Sequence, residues 1–147
     1  MIAFTRPLRQ VDKVFIHCSA SDHPEHDNVD TINRWHLERG WDGIGYHLVI
    51  TKDGAIHPGR DLEKIPAAQK GHNTGSIAIC LTGLRDFTID QMGALAMLAM
   101  VINREYRGAV SFHGHCEVAN KLCPVFAYRD VLALKDDGFI RSFNNVR

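Results

Sequence analysis

Apolar residues recur along this chain in two periods, and the switches between them predict its elements. Residues 13–18 are short, apolar and β-branched, which predicts a buried strand with His17 at its end. Residues 29–39 take the helical period, with Val29, Ile32, Trp35 and His36 along one face and Gly40 as the stop. Residues 45–51 predict a second strand. The turn Lys52-Asp53-Gly54 then sends the chain back through residues 55–57, since an Asp-Gly pair suits a tight hairpin. Residues 76–82 predict a third buried strand. Thr88 opens the longest helix, with Gln91 three positions on to complete a capping box, and the helix runs to about Tyr106. It is apolar around much of its circumference, which predicts packing on a sheet. Residues 109–112 add a strand and residues 126–134 a last helix. Alternating strands and helices with one hairpin predict an α/β fold, a mixed central sheet flanked by helices.

A length of 147 residues suits one domain over residues 1–147, and no repeat or linker divides it. Lysine and arginine number 17, aspartate and glutamate 17, and no basic block interrupts the balance. A nucleic-acid partner held by electrostatics is therefore not expected. No apolar run reaches ~18 residues, so no membrane span is expected. The first residues lack the apolar core of a secretory signal, so no signal peptide is expected either. Cys18, Cys80, Cys116 and Cys123 lack the density of a disulfide scaffold, and their thiols are expected to stay reduced. Cys80 and Cys18 read as packing residues. Between Gly59 and Ser76 lies a long irregular stretch with Pro66, Gly71, Asn73 and Gly75. It reads as the wall of a binding groove, with a plain surface connection as the alternative.

Candidate chemistry gathers in residues 112–124, which contain His113, His115, Cys116, Glu117, Lys121 and Cys123. A catalytic zinc centre takes three protein ligands and leaves the fourth corner for water. His115 and Cys123, with the distant His17, are of the right type, and Tyr46 and Lys121 are polar groups suited to assist hydrolysis. Spacing alone does not choose them. His113 is a rival for His115, Cys116 for Cys123, and a strand-end His17 taken alone reads as a core or edge histidine more readily than as a ligand.

A resemblance narrows the choice. The chain resembles the zinc-dependent N-acetylmuramoyl-L-alanine amidases, the family that also contains the peptidoglycan-recognition proteins, and it looks most like the short phage members. The likeness is carried by Phe15-Ile16-His17-Cys18-Ser19-Ala20, Ile32-Asn33-Arg34-Trp35-His36 and Gly40-Trp41-Asp42-Gly43-Ile44-Gly45-Tyr46-His47. It continues through Asp53-Gly54, Gly59-Arg60-Asp61, Asn73, Ser76-Ile77-Ala78-Ile79-Cys80-Leu81 and the run from His115 to Pro124.

The resemblance implies one zinc ion held by His17, His115 and Cys123, with Tyr46 and Lys121 assisting catalysis. It implies hydrolysis of the amide between N-acetylmuramic acid and L-alanine in peptidoglycan. Cys116 stands where the short phage members have His, so it is not expected to be a ligand, and His113 falls outside the motif. Ala68 stands where the family often has His, so any substrate contact made by that side chain is missing or is taken over by His72. Trp41, Arg60, His72 and Asn73 are candidate substrate contacts. The implied setting is a monomeric phage endolysin without a separate wall-binding domain. It would be made in the host cytoplasm and act in the periplasm or cell wall after holin-type release. Two alternatives travel with the resemblance: a muropeptide-binding module that does not cut, and an amidase that also restrains a phage RNA polymerase.

Overall fold

The computed structural model describes residues 4–141. β1 (Lys13–Cys18) lies between β4 (Ser76–Leu81) and β5 (Ser111–Gly114) and pairs parallel with both. β2 (Leu48–Ile50) runs parallel to the other side of β4, and β3 (Ile56–Pro58) turns back antiparallel on its edge. The five strands form one mixed sheet in the order β3-β2-β4-β1-β5. Helices α1 (Val29–Glu38), α2 (Ile89–Glu105) and the short α3 (Tyr128–Val131), with 3-10 turns at Pro24–His26 and His115–Glu117, complete the described elements.

Strand side chains alternate between the two faces of the sheet, and here each face has its own task. Val14 and Ile16 of β1, Leu48 and Ile50 of β2, Ile77, Ile79 and Leu81 of β4 and Phe112 of β5 form the main core. Leu95, Leu98, Ala99 and Ile102 of α2 cover them. Each such buried aliphatic side chain contributes ~1.5–3 kcal/mol by leaving water, so this is the face that holds the fold together. The opposite face carries Val49 and Cys80, packed with Ile32 of α1 and Ile44. Phe15 and His17 share that second face by their alternation along β1.

The α2 start is as the sequence predicts. Gln91 N–H donates to Thr88 Oγ1 at 3.0 Å while Thr88 N–H donates to Gln91 Oε1 at 3.0 Å. The Gln91 amide also donates to the Ile50 and Thr82 carbonyls, so the cap ties the helix to the ends of β2 and β4.

Four predicted elements are corrected, while 29–39 and 76–82 each give up only their last residue and end at Glu38 and Leu81. The second strand does not begin at Gly45. His36 Nδ1 takes the Gly45 N–H at 2.8 Å and Ala67 N–H takes its carbonyl, so its hydrogen bonds are spent before Leu48. A side chain at Gly45 would collide with the Ala67 carbonyl. The return strand is Ile56–Pro58 rather than 55–57. The fourth buried strand is Ser111–Gly114 rather than 109–112, because Ala109 N–H still closes the turn after α2 on the Tyr106 carbonyl. Helix 126–134 contracts to Tyr128–Val131, since Ala133 takes a φ of 53° and Leu134 leaves to bridge Ile140.

Asp22 latches two loops above the strand ends. Its carboxylate accepts the backbone N–H groups of Leu84 (2.7 Å), Arg85 (2.9 Å) and Asp86, and meets Lys52 Nζ at 3.3 Å. The Leu84 N–H first, with the other donors, holds its carboxyl down to about 2. The folded value lies below the unfolded one of ~3.9, so the stabilisation is complete above pH ~4 and is lost as pH falls towards 2. Asp22→Asn should accordingly unfold at lower temperature than the parent at neutral pH, with the gap narrowing below pH 4 in thermal scans. A gap independent of pH would remove the carboxylate charge from the latch.

Candidate metal centre and its cleft

His17 is fully buried on the second face of β1, and its ring centroid lies 4.6 Å from that of His115. β5 runs parallel to β1 and ends at Gly114, which delivers His115 to the same end of the sheet. Gly114 is required there: a Cβ would sit 2.6 Å from the Tyr128 ring. From His115 the chain loops through residues 118–122 and returns, with Cys116 N–H donating to the Cys123 carbonyl at 2.8 Å. That bond closes the loop and brings Cys123 Sγ to 3.9 Å from His17 Nδ1. One ligand atom each from His17, His115 and Cys123 lies within 4.8 Å of the others.

This donor set fits a zinc ion. Tetrahedral zinc with nitrogen at ~2.0–2.1 Å and sulfur at ~2.3 Å sets ligand-atom separations of about 3.3–3.6 Å, which small side-chain rotations reach from here. Burial first, then His115, pushes the His17 imidazole down to about 3, and burial and Lys121 lower His115. Both rings are therefore neutral at pH 7, the form that ligates. A hydrogen bond shared with the Cys18 thiol, together with burial, raises the Cys123 thiol. The Cys18 N–H, donating to Cys123 Sγ at 3.2 Å, pulls the other way and is placed to support a thiolate.

The cluster borders a cleft of about 810 Å³. Its lining includes His115, Lys121 and Cys123 from the segment after β5, His36, Arg39, Trp41 and Tyr46 from α1 and the segment that follows it, and Ala67, Ala68, Lys70 and Asn73 from the irregular stretch before β4. The irregular 59–76 stretch thus supplies a wall. Tyr46 sits with its ring 5.0 Å from His17 and 5.4 Å from His36. Burial raises its phenol well above the ordinary value, so it remains a hydrogen-bond donor at neutral pH. Burial pushes His36 down to about 4, so its bare Nδ1 accepts the Gly45 N–H and ties α1 to the segment carrying Tyr46.

The candidate substrate contacts divide. Trp41 lines the cleft, its ring 4.6 Å from His36 and 5.4 Å from the Arg39 guanidinium. Asn73 also lines it, but its side-chain oxygen is taken by the N–H groups of Ala68 and Gln69. Arg60 braces the Ile44 and Ile65 carbonyls beside a separate, smaller pocket. His72 packs on Phe15 at 6.5 Å and is not among the cleft-lining side chains. His47 is structural: Nδ1 accepts the Ala78 N–H and Nε2 meets the Lys64 carbonyl at 2.8 Å.

His113 has other partners. Its Nε2 meets Ser111 Oγ at 2.7 Å and its Nδ1 meets Glu117 Oε1 at 2.8 Å. Glu117 also accepts from Gly114 N–H and the Tyr128 hydroxyl. Burial alone would raise the Glu117 carboxyl, but the donors from Tyr128, His113 and Gly114 outweigh it and hold the value low. This network braces the turn that carries His115. His113→Ala should retain one zinc per chain by metal analysis and lose about 1–2 kcal/mol of stability for its two hydrogen bonds. Loss of the zinc instead would transfer the ligand role to His113.

Sequence reasoning missed Gln69. It is fully buried, and its side-chain oxygen lies 2.8 Å from His17 Nε2. An uncharged amide in an irregular loop gives no ligand-type signal; only its place in the 59–76 stretch pointed to the cleft.

With this geometry in hand, the comparisons with known proteins agree with one another. The family described as N-acetylmuramoyl-L-alanine amidase matches residues 7–126. An endolysin of Escherichia phage T7 is 40% identical over 123 residues, covering 78% of this chain and 81% of that endolysin. An endolysin of Klebsiella phage KP32 is 37% identical over 133 residues, covering 85% and 87%. Among solved structures, the N-acetylmuramoyl-L-alanine amidase LysC from Clostridium intestinale URNW superposes with a TM-score of 0.76 at 26% identity, covering 90% of this chain and 93% of that one.

Proposed function

We propose that this chain, which belongs to the N-acetylmuramoyl-L-alanine amidase family, cleaves the amide joining N-acetylmuramic acid to L-alanine at one zinc ion bound by His17, His115 and Cys123. Peptidoglycan hydrolysis comes with the family; the ligand set and the roles of individual residues are our reading. The observation that carries it is the convergence of His17 Nδ1, Cys123 Sγ and the His115 ring at the side of an open cleft.

Bound there, zinc would supply an activated water nucleophile at neutral pH and polarise the scissile carbonyl. The chain's own residues do the rest. Lys121, which lines the cleft with His115 and Cys123, would stabilise the oxyanion that develops on the carbonyl. Tyr46 keeps its proton and can donate it in a hydrogen bond to the reacting oxygen, holding the carbonyl for attack. Arg39, Lys70 and Lys121 line the cleft with no carboxylate among its lining residues, which suits the carboxylates of a stem peptide. Trp41 offers an aromatic plane at the same opening.

A module that binds muropeptides without cutting has no use for a third ligand, and Cys123 supports the cutting reading. The polymerase-restraining role rests on resemblance alone. The setting we favour is the cell wall, reached from the host cytoplasm by holin-type release. No helix among the described residues is long and apolar enough to cross a membrane.

The test is digestion of purified peptidoglycan with zinc-loaded protein. New alanine amino termini should appear without new reducing sugar ends, and chelation should stop their release. Reducing ends without alanine termini, or binding without release, would overturn the reading.

A further inference from the structure

Gln69 sits at the end of a hydrogen-bond chain whose directions are all fixed by backbone carbonyls. The carbonyls of His72 and Asn73 can only accept. Ser76 Oγ lies 2.8 Å from the Asn73 carbonyl and donates to it. That leaves the Ser76 oxygen to accept from the Gln69 amide nitrogen at 2.7 Å. The same nitrogen donates to the His72 carbonyl at 3.2 Å. Both contacts require the nitrogen of the amide to face the loop, so its oxygen must face His17. An amide oxygen accepts, and His17 Nε2, 2.8 Å away, must therefore carry the proton. A neutral imidazole has one proton, so Nδ1 is bare, and Nδ1 is the atom that looks at Cys123 Sγ.

We infer that Gln69 is a positioning residue for the metal centre: it selects the Nε2–H tautomer of His17 and fixes the ring with its Nδ1 lone pair aimed between His115 and Cys123. This rests on the zinc reading above. It goes further by assigning the ligand atom and by making the wall loop part of the metal site. Residues 69–76 then do two things at once. Their outer surface, at Lys70 and Asn73, borders the cleft, and their inner surface sets the proton position of a buried ligand. In the opposite tautomer the bare nitrogen would face the amide oxygen and the proton would occupy the metal-facing atom. Outer hydrogen bonds of this kind govern metal affinity by 10–100-fold in other centres.

Three variants separate positioning from packing. Gln69→Leu keeps the volume but removes the acceptor, and should weaken zinc binding by about 10–100-fold in chelator competition. Cobalt-substituted Gln69→Leu should show a shifted visible ligand-field spectrum. Gln69→Glu restores an acceptor for Nε2–H but turns its second oxygen on the acceptor-only His72 carbonyl, so it should bind zinc at least about threefold more tightly than Gln69→Leu, a partial rescue that a filler of space would not give. A spectrum of the unaltered metal-free protein needs no variant to fold. Long-range proton–nitrogen correlations of the imidazoles should show His17 protonated at Nε2. Protonation at Nδ1, or zinc affinity of Gln69→Leu within about twofold of the parent, overturns the assignment. A parent that binds no zinc at all would sink the metal reading instead, while the tautomer spectrum still reports on Gln69.

Discussion

Cys123→Ser should lose most of its zinc and most of its activity while keeping its fold. A serine hydroxyl stays protonated near neutral pH and is a poor ligand, whereas a thiolate both binds zinc and neutralises part of its charge. Removing it leaves two neutral imidazoles, too few to retain the ion against a chelator. The affinity loss should exceed the ~10–100-fold that outer-shell changes cause. The fold should survive because Cys123 lies outside both buried apolar clusters and is only partly buried. Its backbone carbonyl still accepts from Cys116. Zinc-to-protein ratios and unfolding midpoints of metal-free samples check the two halves. Stoichiometric zinc in the variant would remove Cys123 from the centre.

Lys121→Ala should do the reverse, retaining zinc and losing turnover. Lys121 is exposed, contributes no packing and supplies no ligand atom. It lines the same cleft as His115 and Cys123, where its ammonium would meet the charge that develops in the proposed reaction. Loss of one oxyanion donor costs ~3–4 kcal/mol in comparable hydrolases, so kcat should fall by ~10²–10³. KM should change far less, because the oxyanion develops only after the substrate has bound and is absent from the ground-state complex. Steady-state kinetics on a soluble muropeptide reads this directly. An unchanged kcat would take Lys121 out of the mechanism.

Much of this was legible in the residues themselves. β1, α1, the Asp-Gly hairpin and the capped α2 are local patterns, in which period and end signals agree with the packing that follows. The boundaries that moved are those decided by tertiary contacts. Gly45 is captured by His36 and Ala67. Ala109 is retained by the turn after α2, and Leu134 is drawn away to Ile140. The site divides in the same way. Ligand-type residues announce themselves, and the family motif selects among them. The network that occupies His113 joins residues only two and four positions away, but it forms because the strand ends at Gly114 and turns, which no spacing reveals. Gln69 is a stronger case still, because its role comes from the direction of a hydrogen-bond chain across a loop.

The most direct measurement of the central claim is X-ray absorption at the zinc edge of the loaded protein at neutral pH. The account predicts one sulfur at about 2.3 Å and three nitrogen or oxygen neighbours at about 2.0–2.1 Å, two of them with imidazole scattering. A shell with no sulfur, or with two, would contradict it.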